Sequence, residues 1–158
     1  MIADKLFISV RFINLKKCHS QLLGRANAET RIIELDESLI NRPKLLKCIL
    51  AEEIGHILFP PRVGHIIYHS KEYWKYNSSD RNNIKALVAQ DERLALDWAT
   101  SILVPDVEFW RIIGEGVNTV WELADFFDVE DWFMCIKINY INRKTGFTKN
   151  KLNFKNII

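Results

Sequence analysis

The segment Leu50-Ala51-Glu52-Glu53-Ile54-Gly55-His56 sets three ionisable side chains into an otherwise apolar stretch. On an α-helix, residues four apart lie on one face, one turn from each other. Glu52 and His56 then point the same way, spaced as two ligands of a single metal ion. Glu53, about 100° further round the helix, can stand beside that ion. This is the geometry of an HExxH helix, in which two histidines hold zinc and the glutamate between acts as general base. Here Glu52 stands in the place of the first histidine, and a carboxylate also ligates zinc. The flanks Ile49, Leu50, Ala51, Ile54, Ile57 and Leu58 are apolar. Charge in such surroundings is costly unless it is paired or bound to a metal.

A catalytic ion of this kind takes a third protein ligand and keeps one position open for water. The run Gln90-Asp91-Glu92-Arg93-Leu94-Ala95-Leu96-Asp97-Trp98-Ala99 offers candidates on a second helix. Glu92 lies 36 positions beyond His56, room enough for the chain to turn and pack the second helix antiparallel to the first. Asp91 is the alternative donor. His65, Tyr68 and His69, in the intervening segment, are candidates for orienting a substrate or stabilising an oxyanion. Cys48 precedes Glu52 by one turn on the same face. A turn is ~5.4 Å along the axis, so Cys48 reads as core.

These residues need elements to carry them. Residues 5–15 mix β-branched and aromatic side chains, as in a strand or an opening helix. Residues 30–35 read as a strand, preceded by loop signals around Gly24 to Asn27. Asn41 offers a helix cap with Pro43 in the first turn. Leu45, Ile49, Leu50, Ile54 and Ile57 recur at helical steps through Phe59, and Pro60-Pro61 stops the run. Residues 61–80 read as a connection. A second helix spans about 83–103 and ends before Pro105. Asp106 can cap a short third helix, and Thr119-x-x-Glu122 is a capping-box pattern for a fourth. A fifth follows at about 130–141. Trp98, Trp110, Trp121 and Trp132 fall at apolar helical positions and read as packing. The whole reads as an α+β domain, mostly helical with a small sheet. Residues 1–113 form the core; 114–158 form a small helical element with a basic tail, packed on that core within one domain.

Composition narrows the function classes. The chain has 158 residues, 48% hydrophobic and 27% charged, an ordinary globular balance that excludes wholesale disorder. No apolar run approaches the ~18 residues of a membrane helix. The N-terminus lacks a signal-peptide apolar core, so a cytoplasmic location is expected. Cys18, Cys48 and Cys135 are odd in number and have no CxxC spacing, against a disulfide framework or a thiolate zinc site. Net charge is +2, with six basic and no acidic residues from Trp132 onward. Such a tail can favour nucleic acid. Helices at 119–127 and 130–141 also resemble a helix-turn-helix in spacing. The second of them opens on Glu130-Asp131, which would repel phosphate where base contacts normally begin. Direct nucleic-acid binding is not expected, nor is a membrane partner.

The motifs together resemble the ImmA/IrrE metallopeptidases, especially their short phage and mobile-element branch. LAEEIGH (50–56) resembles that branch's variant of HExxH. DERLALDWATSILVP (91–105) is similar to its second helix, and VNTVWELADFFDVEDWF (117–133) to its C-terminal helical element. LLGRANAETRIIELDESL (22–39) fits the strand before the active helix. The resemblance spans about 22–140. It implies a zincin-like fold, with Glu52, His56 and Glu92 as metal ligands and Glu53 as catalytic base; its register takes Glu92 rather than Asp91. It implies Zn2+ as cofactor and a helix-turn-helix repressor of a phage or mobile element as the cleaved partner. The departure at Glu52 has a physical consequence. Two anionic ligands make the ion a weaker Lewis acid and widen the choice toward Mn2+ or Fe2+. A slow or partner-dependent endopeptidase is expected. The alternative is a catalytically weak or inactive metal-binding anti-repressor.

Overall fold

The computed structural model describes residues 2–15, 22–60 and 78–144. It is an α+β fold, mostly helical with a small mixed sheet. A short helix α1 (Ile2–Lys5) turns through Phe7, at φ 53°, into strand β1 (Ser9–Ile13). The ambiguous segment 5–15 is therefore mainly strand. Strands β2 (Gly24–Asn27) and β3 (Ile32–Asp36) complete a sheet of order β1-β3-β2. β1 runs parallel to β3, with Ser9 opposite Ile32 and Ile13 opposite Asp36. β2 is antiparallel, with Gly24 opposite Leu35 and Asn27 opposite Ile32.

β2 corrects the loop expected at Gly24–Asn27. Gly and Asn are poor strand formers, so composition hides an edge strand that its neighbour imposes. The turn into β3 is closed by the Thr30 N–H, which donates to Asn27 Oδ1 at 3.0 Å. Arg31, at φ 53°, completes the reversal. At the other end of β3, buried Asp36 accepts from the Leu15 N–H at 3.0 Å and from the Ser38 N–H at 3.0 Å. It thereby ties the exit of β1 to the turn Glu37–Leu39. The buried carboxylate is tolerated because its oxygens are matched by donors.

Helix α2 (Pro43–Leu58) lies across the sheet. Its N-cap is Arg42 with no side-chain cap, not Asn41 as expected. Pro43 explains the shift: at the first helical position its fixed φ starts the helix, and its missing N–H needs no partner. Helix α3 (Ser78–Leu103) begins earlier than the expected residue 83. Helix α4 (Asp106–Gly114) is capped at Pro105, so Asp106 is its first helical residue rather than its cap. There its carboxylate faces buried Lys137 of helix α6 (Asp131–Lys144). Helix α5 (Val120–Phe126) starts as expected, with Thr119 Oγ1 accepting from the Glu122 N–H at 3.4 Å. Among the described residues no helix is long and apolar enough to cross a membrane.

Two apolar clusters share α2. Ile33, Leu35, Leu39, Leu45, Ile54 and Ile57 join sheet to helix. On its other side Cys48 and Ala51 meet Ala99, Phe109, Leu123, Phe133 and Ile138 from α3 to α6. Cys48 is core, as expected. Trp98 packs between the two clusters, but Trp121 is 59% exposed, and Trp110 and Trp132 are each 37% exposed. On the short α5 the buried face is Val120, Leu123 and Ala124, and Trp121 falls off it.

The tightest approach is between α2 and α3. A Cβ on Gly55 would lie 2.6 Å from the Ala95 carbonyl oxygen. Gly within a helix forgoes about 1 kcal/mol of propensity relative to Ala, and here contact between backbones requires it. Gly55→Ala is expected to lower stability by about 1–3 kcal/mol through overpacking, despite the gain in propensity. Gly114→Ala, with nothing within 4 Å of the added atom, is the control and should be close to neutral. Urea unfolding midpoints read both.

Candidate metal centre

Gly55 against Ala95 sets the neighbouring side chains face to face. His56 follows Gly55 on α2, and Glu92 precedes Ala95 by one turn on α3. His56 Nε2 lies 3.5 Å from Glu92 Oε2, with the imidazole 16% and the carboxylate 36% exposed. Glu52, one turn before His56, joins them: one donor atom from each of the three residues lies within 4.8 Å of the others. A tetrahedral ion with bonds of about 2.1 Å holds its donors about 3.4 Å apart. The His56–Glu92 spacing already matches, and rotation of a glutamate closes the remainder. The donor set, one imidazole and two carboxylates, each half-buried, fits a divalent ion. These three are the residues read from the sequence. Asp91 is buried but stands outside the donor group. The α3 register therefore favours Glu92.

The electrostatics of the cluster point to a shortage of positive charge. Burial pushes the Glu52 carboxyl up, His56 pulls it down, and Glu92 adds to the rise. Burial works on His56 in the opposite sense. The hydrogen bond and charge of Glu92, with the charges of Glu53 and Glu52, outweigh it and leave the imidazole above its ordinary value. Both potential ligands thus hold their protons more tightly than free side chains do. A divalent cation would have to displace those protons, so affinity for it should strengthen as pH rises.

Glu53 has a different setting. It is pushed up to about 7, first by burial and then by Glu52 and Glu92, against the opposing pull of His56. Its carboxyl packs against β2. A Cβ on residue 24 would fall 2.7 Å from Glu53 Oε1 and 2.9 Å from Ile49 Cγ2. Gly24 is the space in which Glu53 sits. A carboxyl beside the donor group, outside it and close to half-protonated at neutral pH, is suited to exchange protons.

His65, Tyr68 and His69 lie outside the described residues. Cys48 is not a donor: its Sγ is fully buried and accepts from the Glu130 N–H at 3.4 Å, and burial pushes the thiol up to about 11. Sequence reasoning missed Gly24 and Gly55, which make room for the site. A lone glycine inside the apolar periodicity of α2 was the available signal for Gly55. It also missed Tyr140 of α6, whose hydroxyl lies within electrostatic reach of Glu52. Comparison with protein-family models, with curated proteins and with solved structures yields no match.

The Glu53 shift has a consequence for stability. From an ordinary value of 4.5 it rises to about 7 on folding, so folding favours the protonated form. The stability this contributes is full below 4.5 and is lost as pH rises through about 7. Glutamine keeps the neutral shape at every pH. Metal-free Glu53→Gln should match the parent near ~pH 4 and exceed it by on the order of 3 kcal/mol near ~pH 8. Denaturant midpoints across that range measure it; equal midpoints at the alkaline end would contradict the buried, shifted carboxyl.

Proposed function

We propose that the chain is a metal-dependent endopeptidase of the ImmA/IrrE type, acting in the cytoplasm. The observation that carries this reading is the convergence of Glu52, His56 and Glu92 with Glu53 beside them. These three would hold the ion, Zn2+ in the first instance and Mn2+ or Fe2+ as alternatives. When bound, it supplies Lewis-acid polarisation of a peptide carbonyl and activation of water. Glu53 takes a proton from the attacking water and later delivers it to the leaving amine. Its pKa near neutrality lets one group do both. Glu92 Oε2 and His56 Nε2 lie 3.5 Å apart, so the two would be drawn to the same ion from facing helices. The outer edge of β2 carries no strand among the described residues. It offers backbone donors and acceptors to an extended peptide beside Glu53.

The substrate class rests on the resemblance of the motifs alone: a helix-turn-helix transcriptional repressor of a phage or mobile element, cut to release its genes. A second reading has one observation in its favour. With two carboxylates in the donor set, the ion is a weaker Lewis acid than in an HExxH site. The chain would then serve as a catalytically weak or inactive anti-repressor that holds its partner rather than cutting it.

The two readings separate in one experiment. The full chain is co-expressed with the repressor encoded beside its gene, and the products are examined by mass spectrometry alongside elemental analysis of the purified protein. The peptidase reading expects a discrete cut, lowered about a hundredfold or more by Glu53→Gln with metal content unchanged. It also expects His56→Ala and Glu92→Ala to lose both metal and cleavage. A co-purifying but intact repressor, unaffected by Glu53→Gln, would establish the binding reading instead.

A further inference from the structure

Further round α3 from Glu92, α3 and α6 enclose a recess of about 260 Å3 lined by Arg93, Leu94, Asp97, Tyr140, Arg143 and Lys144. Its α3 residues follow Glu92 by one, two and five positions, about 100–200° round the helix at about 100° per residue. Tyr140 forms its wall: the hydroxyl donates to the Arg93 carbonyl at 3.3 Å, and the Arg143 guanidinium lies 5.9 Å from the ring centroid. Tyr140 is also within electrostatic reach of Glu52. The Tyr140 hydroxyl is pushed up by burial and by the charges of Asp97 and Glu52, while Arg143 and Arg93 pull it down.

The charges here run opposite to those of the centre next to it. Lys144 Nζ sits 3.0 Å from Asp97 Oδ1, so that pair is balanced. Arg93 and Arg143 remain, exposed at the rim, and neither is paired with a carboxylate among the described residues. Two guanidiniums around one concavity present donors suited to a carboxylate.

We propose that this recess is a specificity subsite that receives an acidic side chain of a peptide bound across the metal centre. The inference rests on the peptidase reading and names the substrate class for that same site. Passing round the helix surface, roughly 13 Å for a helix about 10–12 Å across, takes a peptide about four residues at about 3.3 Å each. It can place one carboxylate between Arg93 and Arg143 while its backbone stays neutral. A nucleic-acid strand fits less well, because its continuous negative charge would pass Glu52, Glu53 and Glu92.

The test uses the full chain carrying Glu53→Gln, loaded with zinc, and fluorescein-labelled unstructured peptides. A single glutamate is scanned through the peptide, each compared with its glutamine counterpart by fluorescence anisotropy. At one or two positions glutamate should bind about three- to tenfold tighter at low salt, an advantage that fades as salt is added. Adding Arg93→Gln and Arg143→Gln should erase that preference while leaving zinc content and glutamine-peptide affinity unchanged. Both arginines are exposed, so folding should survive, and circular dichroism checks it. Equal binding of glutamate and glutamine at every position would overturn the proposal. So would a preference that survives the arginine substitutions. A single-stranded oligonucleotide is run in parallel. If it binds through the two arginines while the peptides do not discriminate, the recess is a phosphate site and the proposal falls. The peptidase reading is judged separately, with Glu53 restored. Absence of cleavage alongside a glutamate preference removes that reading and leaves the subsite; cleavage without the preference removes the subsite alone.

Discussion

The contact between Gly55 and the Ala95 carbonyl is the constraint on which the site depends. Two helices can bring short side chains to one point only if their backbones come close. An alanine at residue 55 would hold α2 and α3 apart by its own methyl group. His56 and Glu92, one residue and three residues from that contact, meet because it is so short. Gly24 does the equivalent on the other side of α2, where the helix presses on the sheet edge and Glu53 occupies the space a side chain would take. The site is thus assembled by two missing side chains as much as by the four ionisable ones present.

That assembly gathers negative charge where water is partly excluded. Glu92 raises the proton affinity of Glu52, Glu52 and Glu92 raise that of Glu53, and all three raise that of His56. A cluster arranged this way is not favourable packing in its own right, since burial of like charges opposes folding. Elsewhere the chain treats buried charge conservatively: Asp36 is matched by backbone and hydroxyl donors, and Lys137 by Asp106. The contrast marks the Glu52–His56–Glu92 group as the place where a cation would relieve a standing electrostatic cost.

The ligand set was legible because helical periodicity alone places Glu52 and His56 on one face. The apolar runs of α2 and α3 are long enough to fix that periodicity. Periodicity alone left Asp91 and Glu92 open as the third donor. The motif resemblance took Glu92, and the packing of α3 on α2 brings Glu92 rather than Asp91 into the group. β2 was hidden because Gly24-Arg25-Ala26-Asn27 has no strand-forming side chains; β3 supplies its hydrogen-bonding partner and hence its conformation. Asn41 and Asp106 were each misplaced by one residue because a proline, at 43 and at 105, sets each helix start more strongly than a capping side chain does. Trp121 was misjudged because α5 is too short for its apolar pattern to define a face. Tyr140 could not be found at all, since its place against the Arg93 carbonyl follows from α6 packing on α3.

The N-terminal half of α2 is held by the end of α5 and the turn that follows it. Lys44 pairs with Asp125 and Lys47 with Asp128, while Lys47 also donates to the Phe127 carbonyl. Cys48 and Ala51, one turn below, are covered by residues drawn from α3 to α6. A fragment ending near Gly114 would keep the part of that cover given by α3 and α4 and lose Leu123, Phe133 and Ile138. The helix that carries Glu52 and His56 therefore owes its inner face to residues far along the sequence, and a graft of α5 and α6 must reproduce their apolar surface rather than the exposed ion pairs.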